Sequence, residues 1–208
     1  MKQDRIIYHI DVNSAFLSWE AVYRTQVKKD AVDLREIPSI IGGDEKQRHG
    51  IVLAKSIPAK RFGVRTGEPI RDALAKCPEL VVCPPCYPLY DRCSKAMRRE
   101  FEVYSPTIEK YSVDECFIDM TETMRLFGDP VETAYELKDK IKSKLGFTVN
   151  IGVAPNKLLA KMASDFEKPD RVHTLFYEEI PKKMWPLPVE NLFFVGRATR
   201  KKLYNLGI

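Results

Sequence analysis

The spacing of hydrophobic and polar residues predicts that the chain opens with a buried strand followed directly by a helix. Residues 5–12, RIIYHIDV, are mostly apolar over the length of one strand. Residues 13–26, NSAFLSWEAVYRTQ, show helical periodicity behind Asn13 or Ser14, and both are typical N-cap residue types. Asp11 therefore closes a strand immediately before a helix.

Strands and helices alternate more regularly in the second half of the chain. Residues 88–105 predict a helix that Ser105-Pro106 ends, and residues 129–146 predict another helix, capped by Asp129 and followed by Gly146. A helix is also predicted at 154–166, and strands at 107–111, 116–120, 147–154 and 171–176.

The intervening residues, about 30–85, are broken by glycine and proline and predict a small, basic, loop-rich insertion. Without this insertion the order is β-α-α-β-β-α-β-α-β, which contains the split βαβ arrangement of a ferredoxin-like sheet. The predicted class is α+β, with a mixed or antiparallel sheet that carries its helices on one face. After residue 177 a helical element begins.

Composition adds few restrictions to this picture. The 208 residues carry a net charge of +5, which permits a polyanionic partner without requiring one. No apolar run is long enough for a membrane span and no signal peptide is visible, so we expect a cytoplasmic protein without a membrane partner. The five cysteines are expected to be reduced. Cys83-x-x-Cys86 has the spacing of a zinc-ligand pair, but Pro84 and Pro85 replace the usual flexible knuckle and the other cysteine spacings match no common zinc pattern, so no zinc site is predicted.

Three carboxylates form the candidate chemical centre. Asp114 and Glu115 are adjacent in the turn between two predicted strands, and an ordinary exposed turn would explain that pair. In a split βαβ sheet, however, the strand that ends at Asp11 can lie beside the strand after Glu115. The three acids would then repel one another unless divalent cations bound between them, and Mg²⁺ prefers such oxygen ligands. Two ions would suit an in-line phosphoryl displacement.

Cations elsewhere in the sequence would complement a triphosphate. The loop SIPAKRFGVR contains Lys60, Arg61 and Arg65, and Lys168 follows a predicted helix. The helix that begins near Asn13 offers unpaired amides to phosphate. Each feature alone is typical of a solvated surface.

Four stretches together resemble the Y-family translesion DNA polymerases, the DinB/UmuC group. They are HIDVNSAFLSWE (9–20), HGIVLAKSIPAKRFGVRTGEP (49–69), YSVDECFIDMT (111–121) and NIGVAPNKLLAKMASDFEKP (150–169). The resemblance implies a palm at 1–20 and 87–176, fingers at 21–86, and the beginning of a thumb at 177–208. That last segment is similar to a truncated helix-hairpin-helix, with Phe194 where glycine is common.

The resemblance also implies roles for individual residues. Two Mg²⁺ ions, for which Mn²⁺ can substitute, would bind Asp11, Asp114, Glu115 and the carbonyl of Val12. The dNTP would contact Asn13, Ser14, Ala15, Phe16, Lys60 and Lys168, with Phe16 as the steric gate against ribose. Primer-template DNA would contact Asn156 and Lys157. The implied activity is low-fidelity, template-directed DNA synthesis, with a sliding clamp bound through the part of the family that continues beyond Ile208.

One departure concerns the fingers loop. The family often has Tyr and then Arg three residues later, where this chain has Ile57 and Lys60. Isoleucine cannot donate a hydrogen bond to phosphate, and lysine is a point charge where arginine is bidentate. Lys55 or Arg61 are candidate substitutes.

Two other functions are compatible with parts of the sequence. Residues 41–46, IGGDEK, resemble the GGDEF signature of diguanylate cyclases, but they continue into an irregular segment rather than a central hairpin. A non-catalytic, basic nucleic-acid-binding module with structural acids is the other alternative.

Overall fold

The computed structural model describes residues 5–43 and 50–208. Asp44 and Glu45, the acids of the cyclase-like motif, lie outside the described residues. The strands are β1 (Ile7–Val12), β2 (Ser39–Gly42), β3 (Val52–Lys55), β4 (Val81–Cys83), β5 (Ile108–Lys110), β6 (Glu115–Asp119), β7 (Val149–Ala154) and β8 (Val172–Thr174). The α-helices are α1 (Ala15–Val22), α2 (Ile57–Arg61), α3 (Ile70–Lys76), α4 (Tyr87–Phe101), α5 (Met124–Phe127), α6 (Pro130–Leu145), α7 (Lys157–Ser164), α8 (Ile180–Lys183) and α9 (Arg197–Asn205).

The chain divides into two compact units. The first contains the described residues up to Asp11, Glu100–Lys140 and Val149–Ile208, and the second contains Val12–Arg99 and Ile141–Thr148. In the first unit a five-stranded sheet has the order β5-β6-β1-β7-β8. Strand β1 pairs antiparallel with β6, and β7 pairs parallel with β8. The predicted α+β class is confirmed, as is the pairing of the first strand with the strand after the acidic turn.

Helical residues contact both faces of β1, whereas the sequence predicted helices on one face. The hydroxyl of Tyr8 donates to the carbonyl of Pro130, the first residue of α6, at 2.5 Å. The next residue, His9, contacts Ser164 at the end of α7. Successive side chains on a strand point to opposite faces, so α6 and α7 cover opposite sides. The physical reason is burial, because every residue of β1 and β7 is buried and such strands need cover on both faces.

Helix ends follow the predicted capping chemistry at some positions. The side chain of Asp129 accepts hydrogen bonds from the amides of Val131 and Glu132 at 2.8 and 2.9 Å, which confirms it as the cap of α6. Ser14 occupies the N-cap position of α1 but makes no side-chain cap hydrogen bond, and its φ is +46°. The predicted capping role is therefore wrong for Ser14, because a left-handed Ser14 lacks the extended backbone of a usual N-cap.

The second unit is more regular than the loop-rich insertion that the sequence predicted. Its three-stranded sheet has the order β3-β2-β4, with β2 antiparallel to β3 and parallel to β4. A core packs beneath it from residues that are well separated in sequence, namely Ile40, Val52, Ala59, Val64, Ile70, Ala73, Cys77 and Leu80.

Membrane-spanning helices and the state of the cysteines can be described for residues 5–43 and 50–208. Within residues 5–43 and 50–208, no helix is long and apolar enough to cross a membrane. The cysteines in those ranges are free thiols.

Candidate active site

Asp11 and Glu115 lie directly opposite each other at one end of the β1–β6 pair. Side chains of facing residues in an antiparallel pair lie on the same face and within contact range. Asp11 is 8 % exposed, and Glu115 is partly buried. The structure therefore brings together two of the three carboxylates predicted from the sequence.

Asp114 lies in the turn before β6. The Ser112 hydroxyl donates to a carboxylate oxygen of Asp114 at 2.7 Å and accepts from the backbone amide of Glu115 at 3.0 Å. Among residues 5–43 and 50–208, no three His, Cys, Asp or Glu side chains are grouped so that they could hold a metal ion. The complete set of three carboxylates is thus not assembled in this conformation.

Two lysines neutralise the carboxylate pair. Lys168, predicted to bind triphosphate, forms an ion pair with Asp11 and a second with Asp165 at 2.9 Å. Lys161 forms an ion pair with Glu115 and lies 3.6 Å from an Asp11 oxygen and 3.3 Å from Asp165. The sequence reasoning missed Lys161. The signal was a single charge inside the apolar helical run LLAKMA.

Burial and ion pairing have opposite effects on the pKa values of this cluster. Desolvation raises the pKa of Asp11 and outweighs the opposing attraction of Lys168 and Lys161, while the charge of Glu115 raises it further. Burial alone would lower the pKa values of both lysines, but their carboxylate partners outweigh it and raise them. The site is a buried cluster of carboxylates and ammonium groups, in which the two lysines do not fully offset the cost of burying the Asp11 carboxylate.

His9 links the carboxylate strand to helix α7. Its Nδ1 lies at hydrogen-bonding distance, 2.7 Å, from the Ser164 hydroxyl, which lies 2.8 Å from the Lys161 carbonyl. Its Nε2 has no hydrogen-bond partner and lies 3.6 Å from a Glu115 oxygen. Burial, with Lys161 nearby, lowers the pKa of His9 to about 3, so this imidazole is neutral.

The donor chemistry of the pair fits a divalent cation. Two carboxylates from adjacent strands present hard oxygen atoms, and the buried Asp11 would gain from added positive charge. Asp114 is adjacent in sequence, and the Ser112 hydroxyl lies 2.7 Å from an Asp114 oxygen and 3.3 Å from a Glu115 oxygen. Asp11 and Glu115 are therefore the first ligands that the site offers.

Comparison with known proteins identifies the family. The model of the impB/mucB/samB family matches residues 10–165, which include all three acids and Lys161. The chain belongs to the impB/mucB/samB family. The HHH motif of the same family matches residues 177–208, the segment that resembled the beginning of a thumb.

Curated relatives of this impB/mucB/samB chain are named DNA polymerase IV. That of Clostridium acetobutylicum is 52 % identical over 98 % of this chain and 51 % of its own length. DNA polymerase IV 1 of Bacillus subtilis is 40 % identical over 99 % of this chain and 48 % of its own length. The chain spans about half the length of these relatives.

Solved structures of Y-family polymerases share the fold. DinB from Sulfolobus solfataricus has a TM-score of 0.83 at 27 % identity, over 98 % of this chain and 57 % of its own. An insertion ternary complex of Dbh DNA polymerase has a TM-score of 0.82 at 27 % identity, over 98 % of this chain and 58 % of its own. The recognised Y-family relationship is confirmed.

Residues 12–16 of this family member lie in the second unit. The Asn13 amide donates to the Thr148 carbonyl at 3.0 Å, and the Thr148 hydroxyl donates to the Asn13 side chain at 2.9 Å. Phe16 is half-buried and stacks on Tyr90, with ring centroids 4.5 Å apart and planes 9° apart. Val12 and Ala15 are buried, and Ser14 is exposed.

The loop predicted to belong to the fingers places two lysines near each other. Lys60 is exposed on α2, whose cap is the Ser56 side chain. Lys55 donates to the Thr66 hydroxyl at 3.0 Å, and partial burial together with repulsion from Lys60 lowers the pKa of Lys55. Ile57 is 52 % exposed. Of the two candidate substitutes for the missing arginine, Lys55 is close enough to Lys60 for their charges to repel.

The two residues predicted to contact DNA begin helix α7. The side-chain oxygen of Asn156 accepts from the Leu159 amide at 2.9 Å and caps the helix. Lys157 forms an ion pair with Glu109 and lies 5.7 Å from the centre of the Phe117 ring. Asn156 thus has a structural role that the sequence reasoning did not predict.

Phe194, in the HHH segment, adopts a left-handed backbone with φ of +69° and is 78 % exposed. We expect Phe194→Gly to be about 1 kcal/mol more stable than Phe194→Ala, because glycine relieves the left-handed strain while both variants lose the ring. Urea denaturation of the two variants measures this difference. Equal stabilities would show that Phe194 carries no backbone strain.

Proposed function

We propose that this chain carries the nucleotidyl-transfer centre of a template-directed DNA polymerase that adds dNMP units to a primer 3′-hydroxyl. The observation that supports this most directly is the cross-strand pair Asp11–Glu115, neutralised by Lys161 and Lys168, in a member of this family. Low-fidelity synthesis across damaged templates is part of the proposal. The proposal also places the protein in the cytoplasm, where its DNA and dNTP substrates would be.

Asp11 and Glu115 would hold Mg²⁺ or Mn²⁺ together with Asp114 and the Val12 carbonyl. When bound, two such ions would lower the pKa of the primer hydroxyl and stabilise charge on the leaving pyrophosphate. Lys168 would exchange Asp11 for triphosphate oxygens, since its side chain is 37 % exposed and extends from the segment after α7. Lys60, with Lys55 beside it, would bind the triphosphate from the fingers.

Asn13, Ser14, Ala15 and Phe16 would line the sugar and phosphate of the dNTP. Asn156 and Lys157 would contact the DNA backbone, as would the HHH segment, which suits contacts that carry no sequence information. A sliding clamp would bind outside residues 1–208.

Primer extension tests the proposed function. A primed template, dNTPs and Mg²⁺ should give template-directed products on undamaged and abasic templates, and chelation by EDTA should abolish them. Dinucleotide formation from GTP without a template would instead support the cyclase alternative. DNA binding without either reaction would support the non-catalytic module.

A separate prediction concerns Phe16 as the steric gate. Phe16→Ala should raise ribonucleotide incorporation relative to deoxyribonucleotide incorporation by about tenfold or more, because removal of the ring makes room for a 2′-hydroxyl. Single-nucleotide incorporation kinetics with matched rNTP and dNTP measure this ratio. Leu17→Ala, which truncates a buried neighbour on the same helix, should leave it unchanged. An unchanged ratio in Phe16→Ala would remove the gate role.

A further inference from the structure

Lys161 is a buried charge in an otherwise apolar part of helix α7. It is 8 % exposed, and its neighbours Ala160 and Met162 are 0 % and 4 % exposed. A buried ammonium group is stable only when it is paired. Its partners are the candidate metal ligands, Glu115 by an ion pair and Asp11 at 3.6 Å, together with Asp165 at 3.3 Å.

The backbone of Lys161 is tied to the strand that carries Asp11. The Lys161 carbonyl accepts from the Ser164 hydroxyl, which also forms a hydrogen bond with Nδ1 of His9, two residues before Asp11 on β1. The aromatic ring of Phe193 lies 5.9 Å from the Lys161 ammonium group. The helix that carries Lys161 is therefore linked to the strand that carries Asp11, and the ammonium group lies beside the carboxylates.

Lys161 differs in this respect from Lys168. The Lys168 side chain is 37 % exposed and can turn towards solvent or a nucleotide, whereas the Lys161 side chain is 10 % exposed. When a cation or a triphosphate enters, Lys168 can release Asp11. Lys161 has no comparable solvent-exposed position and remains beside the pair.

We propose that Lys161 is a resident counterion of the Asp11–Glu115 pair, which holds both carboxylates in place before a divalent cation binds and weakens the binding of that cation. This inference rests on the proposed function, because it assigns Lys161 as a positioning residue for the metal ligands. A fixed positive charge beside the ligands repels a cation. Strong binding would then require additional negative charge, which the triphosphate of a nucleotide supplies.

The test measures Mn²⁺ affinity without nucleotide or DNA, by electron paramagnetic resonance of free Mn²⁺. Lys161→Met and Lys161→Gln should bind Mn²⁺ about tenfold more tightly than wild type, because each removes the repelling charge. Gln can still donate to Glu115 and provides a second neutral variant if Met disturbs folding. Lys161→Arg keeps the charge and should stay within about twofold of wild type.

Lys138→Met is the matched control. Lys138 is also a buried lysine, 6 % exposed, and it pairs with two carboxylates outside the site, Asp139 at 2.6 Å and Asp170 at 2.8 Å. Its replacement should destabilise the fold without changing Mn²⁺ affinity. Urea denaturation of all variants separates this loss of stability from an effect on the metal site.

Two results would overturn the inference in different ways. If wild type binds Mn²⁺ and Asp11→Asn does not, while both neutral Lys161 variants keep the wild-type affinity, Lys161 is not the counterion and the proposed function stands. If the wild-type protein shows no Mn²⁺ binding that depends on Asp11, the metal site itself is wrong, and the role of Lys161 fails with it.

Discussion

Replacing Glu115 with glutamine should lower the rate of templated primer extension by about a thousandfold or more at saturating DNA and dNTP. The substitution keeps the size of the side chain and removes one anionic oxygen ligand from the pair that Asp11 and Glu115 form across β1 and β6. Lys161 keeps Asp11 and Asp165 as partners, so the variant is expected to fold. Rapid-quench measurement of single-nucleotide insertion gives the rate.

Glu109→Gln is the matched control for that experiment. Glu109 lies on β5, the strand next to β6, and forms an ion pair with Lys157, which is on helix α7 like Lys161. Amide substitution there removes an equal charge from outside the carboxylate pair, and insertion should continue at the wild-type rate when DNA is saturating. If Glu115→Gln inserts nucleotides at the wild-type rate, the acidic turn has only a structural role, as the non-catalytic alternative requires.

The pairing of β1 with β6 could be predicted from sequence because each strand has a continuous apolar run and the order of elements allows few sheets. That pairing places Asp11 opposite Glu115 by register alone. The position of Asp114 could not be predicted in the same way. It depends on the hydrogen bond from Ser112, a local turn contact for which strand periodicity carries no information.

Lys161 shows a second limit of sequence reasoning. A lysine on a helix is usually solvated, and its spacing in LLAKMAS does not reveal that Asp11 and Glu115, from two strands, lie beside it. The loop-rich insertion illustrates the same difficulty, because β2 and β4 are short and pair in parallel across about forty residues. Contacts between distant segments decide both features.

Gly152→Ala should destabilise the first unit by about 3 kcal/mol or more, or prevent its folding. A Cβ at this position of β7 would overlap the carbonyl oxygen of Ala160 and lie 2.6 Å from the amide nitrogen of Ser164. Both obstacles are backbone atoms of α7, so the helix must move as a body. Because Ala160 precedes Lys161 and Ser164 anchors His9, that movement would also displace the cations of the site.

Gly196→Ala is the matched control, since an added Cβ at Gly196 meets no atom within 4 Å. Urea denaturation should give nearly the wild-type midpoint for Gly196→Ala and a much lower midpoint for Gly152→Ala. If Gly152→Ala still folds, its primer-extension rate should fall even under conditions in which the protein is fully folded, because Lys161 and Lys168 both depend on α7. Wild-type stability of Gly152→Ala would show that α7 can move away from β7 without a loss of folding free energy. Wild-type activity of the folded variant would show that the position of the lysines does not depend on this close contact. The absence of a side chain at Gly152 is thus expected to be required both for the close packing of α7 on β7 and for the position of the lysines at the site.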